Sequence, residues 1–274
     1  MNLKNKLNIQ KIFIIGSLLF ILGCSTDEKQ TVVTKDRLVM QDEFDIDGVP
    51  NNAIWGFDIG TGTNGWGNNE LEYYTNNPKN VQVKDGMLQI TAIKESFEGA
   101  QYTSARLLTK GLFEQKYGRF EARIKMPYGQ GFWPAFWLLG SDLETVGWPQ
   151  CGEIDIMEYR GQKPSITNGA IHGPNYSGGN SIFKSYDLIN DRFDTGFHVF
   201  GIEWGENYIN YYVDNVLYNQ ITLDTVNKVK GKWVFDHPFY MILNLAVGGS
   251  YVGSPNNETL FPQTMYVDYV RVYQ

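Results

Sequence analysis

The chain has 274 residues, 23 of them basic and 30 acidic, which gives a net charge of −7. Aromatic residues make up 15% of the chain and charged residues only 19%, whereas a disordered protein is poor in aromatics and rich in charge. The negative charge, without a cluster of Lys and Arg, excludes a typical nucleic-acid-binding protein. What remains is a globular protein of one or two domains, long enough to bury a stable core without disulfides.

The N-terminal segment has the pattern of a secretory signal peptide. Lys4, Lys6 and Lys11 form a basic region without acids, and 12–22 is an apolar run of 11 residues. This run is too short to span a bilayer, which takes roughly 20 apolar residues, and it favours a cleaved signal. Residues 21–24, Ile-Leu-Gly-Cys, resemble a bacterial lipobox, in which the Cys is lipidated. An ordinary signal peptide followed by an unrelated Cys is the alternative.

We therefore predict a lipoprotein signal peptide at 1–23, a lipidated Cys24 with a flexible tether at 24–36, and one folded domain at 37–274. By resemblance to known lipoproteins, the Ser after the Cys favours anchoring to the outer membrane of a bacterial cell envelope. The acidic pair at 27–28 resembles a signal for exposure on the cell surface.

Cysteine usage adds one constraint. The chain has two Cys residues, and if Cys24 is acylated, Cys151 is alone, so that no intrachain disulfide forms.

Two segments in the first half of the folded domain predict β-strands. In 81–92, apolar residues alternate on both sides of Asp85-Gly86, which is typical of a hairpin with a two-residue turn. In 118–126, side chains alternate between an apolar and a charged face. The apolar face holds Phe120, Ala122, Ile124 and Met126, and the charged face holds Arg119, Glu121, Arg123 and Lys125.

The most informative element is 153–158, Glu-Ile-Asp-Ile-Met-Glu. On a strand, Glu153 and Asp155 share one face, whereas strict alternation turns Glu158 to the opposite, apolar face. One extra residue, a bulge at Ile156-Met157, returns Glu158 to the face of the other two acids. A solvated strand face and a calcium site are the alternatives to a catalytic role.

Further strands are expected at 197–204, 239–247 and 265–273, and 211–218 predicts a second hairpin around Asp214-Asn215. No window of about 12 residues carries the apolar stripe of a helix. These patterns predict an all-β fold, either a sandwich or a barrel, in one domain without internal repeats.

Three carboxylates on one surface suit glycoside cleavage. Like charges this close raise the pKa of at least one carboxyl, which supplies one ionised carboxylate and one protonated acid. Retaining glycosidases hold such a pair roughly 5–5.5 Å apart, and inverting enzymes about 6.5–9.5 Å. Trp133, Trp137 and Trp148 precede the acidic strand, and a chain poor in charge concentrates three acids here. Both features favour catalysis over a solvated face.

The acidic strand also fits the E-x-D-x-x-E signature of glycoside hydrolase family 16, in the form with the extra residue, and the chain resembles the laminarinases of this family. The segments that carry the resemblance are 68–75, 103–106, 118–123, 131–140, 148–149, 171–173, 243–249 and 267–273. The resemblance implies a concanavalin-like β-jelly-roll sandwich with a concave substrate cleft. It also implies an endo-β-1,3-glucanase that retains anomeric configuration, so that 37–274 is the catalytic domain.

The catalytic roles implied by the resemblance follow the motif. Glu153 matches the nucleophile that forms a glycosyl-enzyme intermediate. Glu158 matches the acid/base that protonates the leaving oxygen and then activates water. Asp155 matches the residue between them, which hydrogen-bonds the nucleophile. Because the pair titrates as a coupled unit, no individual pKa is assigned from sequence.

The resemblance further implies a set of substrate-binding residues: Asn69, Arg106, Trp133, Trp137, Trp148, His172 and Asn244. The flat indoles suit the apolar faces of pyranose rings, although core packing is the alternative for one of the three Trp. A surface ion pair is the alternative for the Arg, a structural role for the His, and a satisfied core amide for the Asn.

A structural Ca²⁺ is the remaining group implied by the family, with ligands at Glu43, the backbone oxygen of Gly86, and Asp268. Oxygen donors suit this ion, but the alternatives are a surface acid and a turn Gly with positive φ. Catalysis is expected to need no cofactor. Glu72 departs from the family pattern, because many relatives have Gln there, and predicts an added negative charge near the end of the cleft.

The functional prediction is a monomeric, retaining endo-glycosidase that hydrolyses internal β-1,3 linkages of a polysaccharide such as laminarin, held at the membrane by the lipid on Cys24. The alternatives are a mixed-linkage β-1,3-1,4-glucanase, an agar-type galactan hydrolase and a transglycosylase of the same family. A non-catalytic glycan-binding lipoprotein is disfavoured, because Glu153, Asp155 and Glu158 are all present.

Overall fold

Strands are the main regular elements of the computed structural model, which describes residues 35–274. The predicted signal peptide, Cys24 and all but two residues of the predicted tether lie outside the described residues. In chain order the strands are β1 (Leu38–Asp42), β2 (Gly56–Asp58), β3 (Glu72–Tyr74), β4 (Val81–Lys84), β5 (Met87–Phe97), β6 (Ala100–Ser104), β7 (Arg106–Leu108), β8 (Gly118–Lys125), β9 (Phe132–Gly140), β10 (Glu153–Tyr159), β11 (Ile166–His172), β12 (Ile182–Asp187), β13 (His198–Gly205), β14 (Tyr208–Val213), β15 (Val216–Thr222), β16 (Phe239–Val247) and β17 (Gln263–Tyr273).

The strands form two open sheets. The ten-stranded sheet has the order β15-β14-β13-β8-β17-β5-β6-β3, with β1 also paired to β17 and β4 to β5. The seven-stranded sheet has the order β12-β11-β10-β9-β16-β7-β2. The pairing is antiparallel except between β3 and β6. Neither sheet closes on itself, so the structure is a sandwich and not a barrel.

Both predicted hairpins are confirmed. Asp85-Gly86 joins β4 to β5, with Lys84 opposite Met87, and Asp214-Asn215 joins β14 to β15. All four turn residues have positive φ, between 49° and 72°. Two-residue turns of this kind match the right-handed twist of the strands they connect, and Asp, Asn and Gly tolerate the left-handed conformation.

The core lies between the two sheets. The apolar face predicted for 118–126 is confirmed, because its four apolar residues are at most 3% exposed. Inward side chains from both sheets form one cluster, which includes Phe120, Phe200, Ile154, Leu243 and Val270. Because burial of the alternate side chains fixes the register of each strand, the outward residues of β9, β10 and β16 are presented together on the other face of the seven-stranded sheet.

Helices are short and peripheral. They are α1 (Leu143–Val146) and α2 (Leu223–Lys228), and α2 begins at a capping box in which Thr222 and Thr225 bond each other's backbone N–H. Across 35–274, the structure contains no helix with the length and apolarity needed to cross a membrane. The lack of a predicted helical stripe agrees with this architecture.

Candidate active site

The acidic strand is β10, and it contains the predicted bulge. Asp155 lies opposite Trp137 of β9, but the next pair joins Met157 to Phe136, so Ile156 is the extra residue. The apolar side chains within 153–158 are at most 2% exposed. The three acids therefore point to the other face, although strict alternation would have buried the third. The bulge is a structural requirement of the site, because without it Glu158 would be in the core.

Two indole N–H groups hold the outer acids. Trp148 Nε1 donates to Glu153 Oε2 at 2.7 Å, and Trp133 Nε1 donates to Glu158 Oε1 at 3.2 Å. Trp148 lies in the loop before β10 and is 46% exposed, whereas Trp133 is on β9. Each acid thus receives its own directed donor, and each Trp keeps a ring face for other contacts.

His172 lies on the nucleophile side of the site, opposite Glu153 in the pairing of β10 with β11. Its Nε2 is 3.1 Å from Asp155 Oδ2 and 3.8 Å from Glu153 Oε1. Its Nδ1 accepts the backbone N–H of Gly178 at 3.0 Å. A nitrogen that accepts a hydrogen bond leaves the ring proton on Nε2, so the imidazole donates towards the acids. The sequence placed His172 near the acid/base, and the structure places it closer to the other two acids.

The pKa values of the outer acids are raised. Burial first, and the charge of Asp155 second, raise the pKa of Glu153 to about 7 and that of Glu158 to about 8. The indole donors and His172 lower the pKa values of these two acids, but by less. Burial disfavours a charge on His172, whereas the acids, Glu153 foremost, favour one and raise its pKa; the ring is nevertheless neutral in this geometry, because Nδ1 accepts the N–H of Gly178. The pair therefore holds one proton near neutral pH, with Glu158 as the more basic carboxyl.

No Lys or Arg neutralises these acids. Among the ion pairs of residues 35–274, the partner of Glu153 and Asp155 is His172 alone, and Glu158 has none. Two carboxyls of unequal basicity on one exposed face can perform nucleophilic attack and proton transfer. His172, Glu153 and Asp155 also form a group with metal-ligand spacing, but their ligand atoms already contact one another and the indole donors.

A second part of the site is built around Arg106 of β7. Its guanidinium carbon lies 4.7 Å from the ring centroid of Trp66 and 4.9 Å from that of Trp137, so the group is sandwiched between two indoles. Its Nε is 2.9 Å from Asp58 Oδ2, and its side chain is 12% exposed. The ion-pair alternative and the predicted position beside the site are therefore both realised, because the same guanidinium contacts Asp58 and the indoles.

Asn244 has the role of the alternative interpretation, a satisfied core amide. It is 6% exposed on β16. Its Oδ1 accepts from Trp137 Nε1 at 2.8 Å, and its Nδ2 donates to Tyr74 Oη at 3.1 Å. Both ends of the amide are engaged, so Asn244 holds Trp137, and direct contact with a sugar stays a prediction.

Asn69 lies in a tight loop before β3 and has a left-handed φ of 58°. Its Nδ2 donates to Ser250 Oγ at 2.9 Å, and the side chain is exposed. The same loop carries Trp66, also at positive φ, whose ring covers Arg106. Strained backbone conformations persist mainly at functional sites. Here the strained loop sets the position of the Trp66 ring beside Arg106.

Three further residues of the site were missed by sequence reasoning. They are Trp66, Tyr251 and Tyr74. Tyr251 packs against Trp133, with ring centroids 5.0 Å apart, and accepts a hydrogen bond from Asn168. Tyr251 follows a Gly-Gly-Ser loop, where no periodic pattern marks a side chain as part of a site. Trp66 lies in a Gly- and Asn-rich segment, which signals a loop but not its direction.

The prediction for Glu72 is wrong. Its side chain is 1% exposed, and Oε2 accepts the backbone N–H of Val247 at 2.6 Å. Burial, first, and the charge of Glu70 raise the pKa of Glu72 well above its usual range, so the group adds no charge at the end of the cleft. Cys151 is free and fully buried, and burial raises the pKa of its thiol to about 12.

The predicted calcium ligands lie on or beside strands of the ten-stranded sheet. Both oxygens of Glu43 accept from the Arg271 guanidinium, at 2.7 and 2.8 Å. Asp268 Oδ2 accepts from Arg123 at 2.7 Å. Guanidinium groups therefore engage carboxylate oxygens that a Ca²⁺ ion would need, so these bonds would have to break before the ion could bind.

Comparison with known proteins agrees with this site. Residues 67–271 match the sequence profile of Glycosyl hydrolases family 16. The chain is 39% identical over 264 residues to a beta-glucanase of Rhodothermus marinus, covering 93% of this chain and 91% of that protein. It is 36% identical over 222 residues to the endo-1,3-1,4-beta-glycanase EglC of Rhizobium meliloti (strain 1021), covering 76% of this chain and 44% of that longer protein.

The structure superposes on the laminarinase catalytic domain from Thermotoga maritima MSB8 with a TM-score of 0.83 and 50% identity, covering 87% of this chain and 98% of that one. The sandwich is thus the jelly roll that the sequence predicted. The profile match spans the bulged acidic strand and both Trp donors, and the structural match spans most of the described residues. The chain belongs to glycosyl hydrolases family 16.

Proposed function

We propose that this chain is a retaining endo-glycosidase that hydrolyses internal β-1,3 linkages of β-glucans such as laminarin. The observation that carries the proposal is the bulge at Ile156, which places Glu153 and Glu158 on one face with separate indole donors. The names of the relatives, a beta-glucanase and a laminarinase, support a β-glucan as the polysaccharide substrate.

In the first step Glu158 gives its proton to the glycosidic oxygen while the Glu153 carboxylate attacks the anomeric carbon. The bond to the leaving sugar breaks, and an ester to Glu153 forms. In the second step Glu158 takes a proton from water, the water oxygen attacks the anomeric carbon, and the ester bond to Glu153 breaks. Two inversions give net retention, and every proton is moved by Glu158, so no cofactor takes part.

The neighbouring side chains set the charge states that this sequence requires. Trp148 N–H and His172 Nε2–H stabilise Glu153 as a carboxylate. Burial first, and then the neighbouring Asp155, raise the pKa of Glu158, which must hold its proton before the first step. Trp133, Trp137 and Trp148 offer ring faces for pyranose stacking.

The proposal is tested by product analysis on laminarin, barley mixed-linkage glucan and agarose, with Glu153→Gln as the matched inactive control. Release of a ladder of oligosaccharides from laminarin is expected, because endo-cleavage cuts internal bonds. Cleavage of barley glucan alone would favour the mixed-linkage alternative, which the relationship to EglC keeps open. Products from agarose alone would replace the glucan substrate by a galactan.

We also propose that Cys24 carries a lipid that anchors the enzyme to the outer membrane, on the strength of the lipobox pattern at 21–24. Expression of the full chain in a bacterial host should give membrane-bound activity, and Cys24→Ser should release it to the soluble fraction. An unmodified mature N-terminus by mass spectrometry would contradict the anchor.

The structural Ca²⁺ implied by the family stays a prediction. For the ion to bind, Arg271 would have to release Glu43. A fall in the melting temperature with a chelator, reversed by added calcium, would support the ion, whereas identical melting curves would remove it.

A further inference from the structure

A second pair of acids, Glu70 and Glu72, lies in the wall of the site and takes no part in the mechanism above. Glu72 begins β3 and is almost fully buried. Its Oε2 accepts the N–H of Val247 at 2.6 Å. Its Oε1 is also buried and meets no N–H or O–H donor among the described residues. Residues two apart on an extended segment share a face, so the carboxyl of Glu70 lies beside that of Glu72 and influences its pKa.

Glu70 is already an acceptor at both oxygens. Asn68 Nδ2 donates to Oε1 at 3.0 Å, and Tyr74 Oη donates to Oε2 at 2.9 Å. Two carboxyl groups can bond each other only if a proton lies between them, since an ionised carboxylate has no donor. Both oxygens of Glu70 already accept hydrogen bonds, whereas Oε1 of Glu72 meets no donor, so we place the proton on Glu72. The raised pKa of Glu72, caused by burial and then by Glu70, supports this assignment.

The pair is connected to the substrate-binding face by a directed chain of hydrogen bonds. Trp137 Nε1 donates to Asn244 Oδ1, Asn244 Nδ2 donates to Tyr74 Oη, and Tyr74 Oη donates to Glu70. Every donor points towards the carboxylate of Glu70. Bonds in such a chain polarise one another, so the position of the first indole depends on the charge at the last carboxyl.

Trp137 stands at the centre of the binding surface. It lies opposite Asp155 in the pairing of β9 with β10, and its ring covers Arg106. A displacement of this indole moves a sugar-stacking surface and the Arg beside it. It leaves Glu153 and Glu158 in place, because their donors are other side chains.

We propose that Glu70 and Glu72 share one proton and act as a positioning pair, which holds Trp137 through Tyr74 and Asn244 and so makes glucan binding, but not bond cleavage, depend on the protonation of Glu72. The proposal rests on the glucan substrate proposed above.

Loss of the proton places two negative charges side by side in a buried site, and their repulsion disrupts the chain to Trp137. The other titratable groups around the pair are Tyr74 on β3, Tyr102 opposite Glu72 on β6, and Arg106 on β7. Residues 244–247, at the end of β16 that faces the pair, contain no titratable group.

The test is Glu72→Gln, which replaces the shared proton by a permanent amide N–H of the same shape. KM and kcat for laminarin are measured from about pH 5 to about pH 9, a range that starts near the usual carboxyl pKa. In the wild type, KM is expected to rise severalfold at the alkaline end. In Glu72→Gln that rise should disappear, while the pH profile of kcat keeps the same shape in both proteins. Equal alkaline rises of KM would overturn the proposal.

Tyr74→Phe is the matched variant for the chain of hydrogen bonds. It removes the hydroxyl that connects Asn244 to Glu70 and keeps the ring. Its KM should be raised at every pH and should no longer depend on the protonation of Glu72. A packing defect alone would instead leave the alkaline rise of KM in place. Retention of that rise in Tyr74→Phe would contradict the chain.

A stability measurement tests the pair without substrate. Between the pKa of a carboxyl in the unfolded chain and the raised pKa of Glu72, the folded wild type holds one proton more than the unfolded chain. Its folding equilibrium constant therefore falls by up to roughly tenfold per pH unit through this group. Glu72→Gln has no such proton to lose, so its folding equilibrium constant relative to that of the wild type should grow with pH.

Parallel stability curves for the two proteins would overturn the shared proton even if laminarin is cleaved. If the wild type leaves laminarin intact, the proposed function is refuted. The stability curves then still test whether Glu70 and Glu72 share a proton. If Glu72→Gln does not fold, Glu70→Gln serves in the same comparison, because removing the neighbouring charge should weaken the pH dependence of stability.

Discussion

Strands β8 and β10 both present charged side chains on the face opposite an apolar one, yet they have different roles. On β8, Glu121 Oε2 accepts from Arg119 at 2.8 Å, and Arg119 also contacts Glu203 at 3.3 Å. On β10, Glu153 receives an indole N–H and a His instead of a guanidinium. On β10 the bulge brings the third acid to the charged face, and what distinguishes the roles of the two strands is the counter-charge. Paired acids stabilise a sheet, whereas acids without cations keep raised pKa values and can move protons.

The largest effect in this comparison should come from Glu153→Gln. The amide keeps the shape of the side chain but cannot form the glycosyl ester, so kcat on laminarin should fall by more than about 10⁴-fold, as for other nucleophile deletions. Binding of laminarin, measured by affinity electrophoresis, should persist. Turnover near the wild-type rate would show that β10 is not the catalytic strand.

Trp148→Phe tests how the nucleophile is kept ionised. The ring is retained but the N–H to Glu153 is lost, and a hydrogen bond to a charged group stabilises it by about 1.5–3 kcal/mol, so kcat/KM should fall roughly tenfold to a hundredfold. Because that bond lowers the pKa of Glu153, the acid limb of the pH profile should move to higher pH.

The matched control is Trp133→Phe, which removes the donor to Glu158. It should move the alkaline limb to higher pH and leave the acid limb in place, since that bond lowers the pKa of Glu158. Movement of the same limb in both variants would mean that the two indoles do not act on separate carboxyls.

The acids of β10 should also destabilise the fold at high pH. Their folded pKa values, about 7 and about 8, lie above those of unfolded carboxyls, so their contribution to stability is complete below about pH 4.3 and is lost as pH rises. Glu153→Gln should therefore gain stability over the wild type between pH 5 and pH 8, by at most about 1.4 kcal/mol per pH unit. Denaturant unfolding at both ends of this range measures the gain, and a loss would contradict it.

The smallest effect should come from breaking the network on β8. Arg119→Met removes contacts with Glu121, Glu203 and Asn215 and should cost about 1 kcal/mol, or about 2–4 °C in the melting temperature. Its kcat should equal that of the wild type. Arg123→Met, which breaks a more exposed pair with Asp268, should cost less. A large loss of activity in Arg119→Met would contradict the purely structural role assigned to the charged residues of β8.

The features that the sequence predicted are those with a local cause. The bulge on β10 follows from three acids that alternation alone cannot place on one face. The hairpins at Asp85-Gly86 and Asp214-Asn215 follow from turn residues that accept positive φ. In each case the residues that determine the structure are adjacent in the chain.

The features that it missed depend on distant partners. Glu72 is buried in a pocket that includes Val247, 175 positions away, and this burial is the main cause of its raised pKa. For Asn244 the sequence left two roles open, and the amide donates to Tyr74, 170 positions away. Period-two patterns give the face of a side chain but not the side chain opposite, so the same Asn pattern fits a sugar contact and a buried amide.

The most direct test of the mechanism is the anomeric configuration of the first product, followed by proton NMR as laminarin is hydrolysed in deuterated buffer. If Glu153 attacks and Glu158 protonates, the β-anomer of the new reducing end should appear first and then mutarotate. Initial appearance of the α-anomer would mean direct attack by water, and would contradict the assignment of Glu153 as the nucleophile.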